Sequence, residues 1–390
     1  MRYKVIFILL FTLYLIALDI VWAVDTPVSM ETVLNAMAQG GTTSMYGING
    51  ASLPQITVSN TDSGGPLIYS DDPEYATADG IMYTAGVAAG TTRIYVYHVN
   101  YAGGTKKITV VGQNMGYTTA TVTILRRASG FGTAYSQIGK QAVADFLQST
   151  TALTPVTISS NALFVLDTVL DNTGVTYNQL THGIIEVYAS QSVRYTICML
   201  NQSSNTLTTF SSLTNLAQDG YNRRGTFPAM NRTKSLSAVI NTTSGMQRIS
   251  IIRSPTDTQI VGTDAMTYAT RTNAGNYGLL YTINIPLRSS NGKDMAILVN
   301  PRGGDFGGAF KLSSGITPGG TFFAPSAGSI GSGSTDTATL LGKYALTVST
   351  TTVQLQFITP GGSSLPVELI FAPYTQIVPV QLSLFEAREP

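Results

Sequence analysis

Cysteine is almost missing from this chain: Cys198 is the only one in 390 residues. One thiol cannot close an internal bridge, so no disulfide framework holds the fold and stability must come from packing. Cys198 lies in an apolar, strand-like run, Arg194 to Leu200, and reads as a buried small hydrophobe rather than a reactive thiol. Charge is scarce as well. Asp, Glu, Lys and Arg make up 11% of the residues, against roughly 25% in a typical soluble domain. The formal net charge is +1. A nucleic-acid binder needs a basic face, because phosphate neutralisation supplies most of its affinity. Here the pairs Lys106-Lys107, Arg126-Arg127 and Arg223-Arg224 are scattered, so nucleic acid is not expected as a partner. Near-zero charge favours self-association or a neutral polymer instead.

Histidine is limited to His98 and His182. A Ser-His-Asp triad needs a histidine to activate the nucleophile and an acid to orient it. Both histidines sit in or beside strand patterns, and no G-x-S-x-G elbow is present. A zinc site needs four ligands of the Cys and His type or an added carboxylate. Blue-copper sites gather Cys, His and Met in one loop, and no His follows Cys198. The only tryptophan, Trp22, lies at the N-terminus. Any sugar-stacking platform would therefore have to use the 20 tyrosines.

Hydrophobic residues are plentiful, at 43%. A disordered chain combines low hydrophobicity with high charge, and this one does the reverse. Arg2 and Lys4 precede an apolar run from Val5 to Leu18, and Val21-Trp22-Ala23 offers a small residue at a cut. That order is a secretory signal peptide over residues 1–23, with an uncleaved anchor as the competing reading. The apolar run holds no cysteine for a lipid anchor, and residues 382–390 show neither an apolar tail nor a basic stop. No transmembrane segment is expected after cleavage. The protein is expected outside the cell or at its surface.

The rest of the chain reads as strands. In Tyr277 to Leu287 the alternate positions Tyr277, Leu279, Tyr281, Ile283, Ile285 and Leu287 make one apolar face. Asn291-Gly292 suits a hairpin turn, with Met295 to Val299 returning as its partner strand. Short runs with Gly and Pro between them recur from Ile56 to Leu125 and from Val156 to Phe385. Residues 313–342 are rich in Gly, Ser and Thr and read as a long loop. Two helices are expected. One carries Met30, Val33, Leu34 and Met37. The other runs from Ile138 to Leu147, with Lys140, Gln141 and Asp145 on its wet side. The expected fold is mainly β: two antiparallel β-sandwich modules, Ig-like or jelly-roll-like, with one or two short helices. The modules fall over residues 24–130 and 156–390, with a helical linker over 131–155.

Several strings occur in order: Ser70-Asp71-Asp72-Pro73-Glu74, Tyr97-His98-Val99-Asn100, Gly225-Thr226-Phe227-Pro228 with Asn231-Arg232, Asn276-Tyr277-Gly278, and Asn300-Pro301-Arg302-Gly303-Gly304. Together they resemble poorly characterised exported envelope proteins of Gram-positive bacteria. Some of those are joined to stalk domains like the N-terminal domain of copper amine oxidases. The resemblance implies an envelope or extracellular location and carries no activity with it. The chain shows no stalk or wall-binding repeat.

Candidate ligand residues are few. Asp71, Asp72, Glu74 and Asp79 lie within one loop, and hard cations want several carboxylate oxygens, so calcium is the ion this loop could hold. The EF-hand spacing is missing, and an acidic turn around Pro73 is the simpler reading. Glycoside hydrolysis needs two carboxylates facing each other across a cleft. Asp71, Glu74, Asp167, Asp171 and Glu186 are conceivable, and no spacing selects a pair. Arg302 and Asp305 stand among four glycines, where backbone can approach an anion or another backbone closely. The reading is an exported, non-enzymatic β-sandwich protein with a structural or adhesive role at a bacterial surface. It needs no cofactor and has a wall polymer or surface protein as partner. The alternative is a secreted polysaccharide-binding protein or glycoside hydrolase.

Overall fold

The computed structural model describes residues 29–326 and 335–377. The expected signal peptide and the expected strand from Val378 to Phe385 lie outside the described residues. The protein is mainly β, of the β-sandwich type, and the described strands lie in four sheets. The expectation of a β-sandwich fold rested on short strands punctuated by Gly and Pro; the central strands Gly90–Asn100 and Asp294–Pro301 are buried on both faces, as strands between packed layers are.

The largest sheet has nine strands. Its centre is Gly90–Asn100 beside Gln179–Ala189 and Ala120–Gly132. Along Gly90–Asn100 the faces divide cleanly. Ile94 and Val96 enter one core with Met82, Tyr195 and Ile197 of the four-stranded sheet. Tyr95, Tyr97 and Val99 enter the other, with Tyr281, Ile283 and Phe357. Those last residues belong to a seven-stranded sheet that contains Leu280–Arg288 and Thr351–Ile358. A five-stranded sheet built on Asp294–Pro301 and Val367–Tyr374 adds Met295, Ile297, Val299, Leu369 and Phe371 to the same core.

Most pairings are antiparallel, as expected. Four among the described residues are parallel: Leu67–Ser70 and Tyr75–Ala76 on Gly90–Asn100, and Asn231–Leu236 and Ile240–Asn241 on Leu280–Arg288. Strand pairing also crosses the expected linker. Gln179–Ala189 and Val193–Asn201, from beyond residue 156, pair with strands that begin before residue 130. Conversely, Thr42–Ser44 pairs with Thr337–Tyr344, and Val58–Ser63 with Asn231–Leu236. Period-two burial sets which face a strand buries, but says nothing of which distant strand it joins.

The stretch from Tyr277 to Val299 shows the same limit. Tyr281, Ile283, Ile285 and Leu287 are all fully buried on one face. The expected hairpin does not form, however. Leu280–Arg288 pairs with strands of the seven-stranded sheet, and Asp294–Pro301 with strands of the five-stranded one. The Asn291-Gly292 turn, with Gly292 at φ 74°, therefore carries the chain from one sheet to the other. Both strands bury apolar faces in one core, so they oppose each other across it instead of lying side by side.

The Met30–Ala36 helix opens on Ser29, whose hydroxyl accepts from Thr32 N. It buries Met30 and Leu34 on the outer face of the five-stranded sheet, with Leu298 and Ile370. The Tyr135–Gln148 helix packs on the nine-stranded sheet and on strands of the seven-stranded one. Gln141 and Asp145 face solvent as expected. Lys140 does not: it is buried, and its Nζ donates to the Pro325 carbonyl at 2.9 Å. A helix covered from two sides has too narrow a wet face to hold all three. The glycine-rich 313–342 segment contains two strands, Gly320–Ala324 and the start of Thr337–Tyr344, so it is not one loop. Among the described residues no helix is long and apolar enough to cross a membrane.

The scarce charges are largely used inside. Arg93 is fully buried against Glu186 at 2.5 Å, and Arg126 reaches the same carboxylate at 2.9 Å. Asp257 holds Arg232 at 2.8 Å and Lys234 at 3.2 Å. Glu368 holds Arg248 at 3.1 Å. Each of these buried charges has an opposite partner.

Candidate functional site

The clearest cavity, about 420 Å³, opens beside Gly90–Asn100. Strand alternation builds its floor. Tyr69 on Leu67–Ser70, and Tyr95 and Tyr97 on Gly90–Asn100, project to the same side, and Tyr277 closes over them. The Tyr69 and Tyr277 rings stack at 5.8 Å, while Tyr95 meets Tyr69 edge-on at 5.7 Å. Tyr277 is fixed by donating its hydroxyl to the Ser363 carbonyl at 2.9 Å.

Two loops complete the wall. Asp72 accepts from Asp219 N at 2.8 Å and from Gln218 Nε2 at 3.0 Å. Asp219 in turn accepts from Glu74 N at 2.9 Å. This lacing holds the 71–74 loop against the 218–223 loop. It places Arg223 over the Tyr221 ring at 4.7 Å and within 2.7 Å of Glu74 Oε2. The same Arg223 nitrogen stands 4.0 Å from Asp71 Oδ2. Asp71 Oδ2 accepts from the Tyr69 hydroxyl at 2.8 Å. Asp71 Oδ1 is buried and has no hydrogen-bond partner among the described residues.

The electrostatics follow from this placement. Burial, reinforced by the nearby Glu74 charge, pushes the Asp71 carboxyl well above its ordinary range, against the opposing pull of Tyr69 and Arg223. Burial raises Glu74 as well, and Arg223 moderates it. Burial pushes the Tyr277 hydroxyl up to about 12. The cavity thus has a buried tyrosine floor, the more accessible rings of Tyr221 and Tyr277, two carboxyl groups of raised proton affinity and one guanidinium.

Of the acidic loop, Asp71 and Glu74 line the cavity. Asp72 is spent on the neighbouring loop, and Asp79 is exposed and pairs with Lys106 at 2.8 Å. The four do not converge on one point. Among the described residues, no group of three or more His, Cys, Asp or Glu is arranged to hold a metal ion. Asp167 caps the Thr168–Asn172 helix and pairs with Arg127, Asp171 accepts from Thr206, and Glu186 sits between Arg93 and Arg126. Arg302 is half-buried, donating to Asn300 Oδ1 at 3.4 Å. A side chain at Gly303 would collide with the Leu365 carbonyl, so that glycine serves a close backbone approach. Neither Arg302 nor Asp305 lines the cavity.

The histidines are interior. His98 Nε2 meets Ser70 Oγ at 2.8 Å and its Nδ1 meets the Pro73 carbonyl at 2.7 Å, in a site with no exposure. His182 Nδ1 meets the Val96 carbonyl at 2.9 Å, under the Tyr95 and Tyr97 rings. Burial lowers both to about 4.

Sequence reading did not reach Tyr69, Tyr95, Tyr97, Tyr221 or Arg223 as members of one site. The alternation of Tyr95 and Tyr97 was the available signal. Nothing local ties Arg223 to a loop 149 residues earlier. Three of the quoted strings, Ser70–Glu74, Tyr97–Asn100 and Asn276–Gly278, each supply at least one residue to the cavity wall. No protein-family model matches the chain, and no curated protein matches it.

Proposed function

We propose that the protein is an exported surface protein that binds a neutral saccharide in the tyrosine-lined cavity. The observation that carries this reading is the shared wall of tyrosine rings, two carboxyl groups and one arginine around about 420 Å³. Small-molecule sites run from about 300 to 1,000 Å³ and combine apolar walls with a few placed polar groups. The accessible rings of Tyr221 and Tyr277 offer surface to the C–H side of a sugar, and Glu74 and Arg223 offer an acceptor and a donor to its hydroxyls. A phosphorylated ligand fits poorly, because the one cation in this wall is already engaged by Glu74. Export is supported by the order of basic, apolar and small residues over 1–23. An adhesive role at the surface would then act through glycan capture, with a wall polymer as partner.

Glycoside hydrolysis is the second reading. It is favoured by Asp71 and Glu74 standing at one cavity on the same arginine, both with raised proton affinity. A glycan array probed with the purified protein tests binding. Incubation with each captured glycan then separates the two readings. Unchanged glycan supports binding alone, while release of reducing ends that stops in Glu74→Gln supports hydrolysis. Silence across the whole array contradicts both.

A further inference from the structure

Beyond the cavity, three of the exposed tyrosines gather at one place. Tyr75, Tyr101 and Tyr177 are 42%, 43% and 54% exposed. Scattered exposed aromatics are ordinary on a protein surface, but here Tyr101 touches both of the others. Tyr75 meets Tyr101 edge-on at 5.4 Å, and Tyr101 meets Tyr177 at 4.7 Å. The fold puts them there deliberately. The Tyr75–Ala76 strand pairs with Val99 and Asn100, which brings Tyr75 to the end of Gly90–Asn100, where Tyr101 follows. Asn178 N donates to the Asn100 carbonyl at 2.7 Å and holds Tyr177 at the same end. Tyr135 donates to Asn178 Oδ1 at 2.9 Å, fixing this corner from the helix side.

This group is continuous with the cavity. Tyr75 directly follows Glu74, a cavity residue. On the other side Ser136, next to Tyr135, donates to the carbonyl of Gly362, which also lines the cavity. We infer that Tyr75, Tyr101 and Tyr177 form a second binding surface that takes the next units of the same ligand, so that the ligand is a glycan chain and not a single sugar. This rests on the saccharide reading of the cavity. Rings with hydroxyl rims, held at one sheet end and linked through Tyr101, suit the alternating apolar and polar faces of a sugar chain.

The test is isothermal titration with soluble neutral oligosaccharides of the glucose, mannose and N-acetylglucosamine series, from one sugar to about six. For the series that binds, affinity should rise about tenfold between one unit and four, since ring contacts are individually modest. In Tyr101→Ala/Tyr177→Ala that rise should vanish while the affinity for the single sugar stays at the wild-type value. Both side chains are exposed, and an unchanged melting temperature verifies that the variant folds. Single-sugar binding with no gain on lengthening overturns the second surface and leaves the cavity reading standing. A length gain that survives in the double variant overturns it too. No binding in any series overturns the cavity reading and this inference with it.

Discussion

The Tyr69 hydroxyl donates to Asp71 Oδ2 at 2.8 Å, while the other Asp71 oxygen lies buried with no partner among the described residues. One oxygen satisfied and one not is a costly way to bury a carboxylate. Replacing it with the neutral amide should therefore leave the fold as stable or make it more so. The raised proton affinity of Asp71 gives the sign of the pH dependence. The native state holds this proton above the ordinary 3.8, so wild-type stability falls as pH rises from there toward the raised value. Asp71→Asn removes that loss. Urea midpoints should show the variant gaining on wild type as pH rises from about 4 to 7; a gap that narrows over this range contradicts the assignment.

The core makes a second prediction. Tyr281 stacks on Phe357 at 4.8 Å and accepts from Asn276 Nδ2 at 2.6 Å, with no exposed surface. Truncation to alanine should cost about 3–5 kcal/mol in denaturant unfolding. Asn284, on the opposite face, is half-buried and makes one 3.2 Å bond with the Gln354 amide at the surface. Asn284→Ala should cost under about 1 kcal/mol. Equal losses at the two positions would mean the strand does not alternate as described.

That alternation is the part of the fold the residues declare by themselves. Tyr281, Ile283, Ile285 and Leu287 are recognisable as one buried face, and Cys198 as a covered hydrophobe with Leu200 on its own face and Ile197 and Met199 on the other. The partners of a strand are another matter. Asn291-Gly292 has the local chemistry of a hairpin, yet the chain after it opposes the preceding strand across the core, a choice decided by sheets formed from distant segments. The cavity was half legible for the same reason. Asp71 and Glu74 stood out as acids in one loop, but their arginine and the tyrosine floor come from strands and loops that meet only in the folded chain. Lys140 was misplaced because a helix reading assumes one wet face, and this helix has sheet strands on two sides.

Acid should weaken the fold through its histidines. His98 and His182 are buried and held at about 4, so they bind fewer protons native than unfolded between pH 6.5 and 4. Their contribution is complete above about 6.5 and is lost as pH falls through that window, by up to about 3 kcal/mol each. The carboxyls of raised proton affinity, Asp71 and Glu74 among them, work in the opposite direction. His182→Phe isolates one histidine, since a phenyl ring suits its place beside Tyr95 and Tyr97. Its urea midpoint should drop less than that of wild type between about pH 7.5 and 5. An identical drop would show that His182 does not titrate with folding.

Saccharide binding in the cavity is tested most directly at Arg223 and Tyr221, because both side chains are open enough to change without touching the core. Isothermal titration with a glycan captured on the array should compare wild type with Arg223→Gln and Tyr221→Ala. Each variant should bind about tenfold or more weakly, having lost a charge-assisted hydrogen bond or a ring contact, with an unfolding midpoint within about 0.5 kcal/mol of wild type. Affinities unchanged in both variants would place the glycan elsewhere on the protein and contradict the cavity as its site.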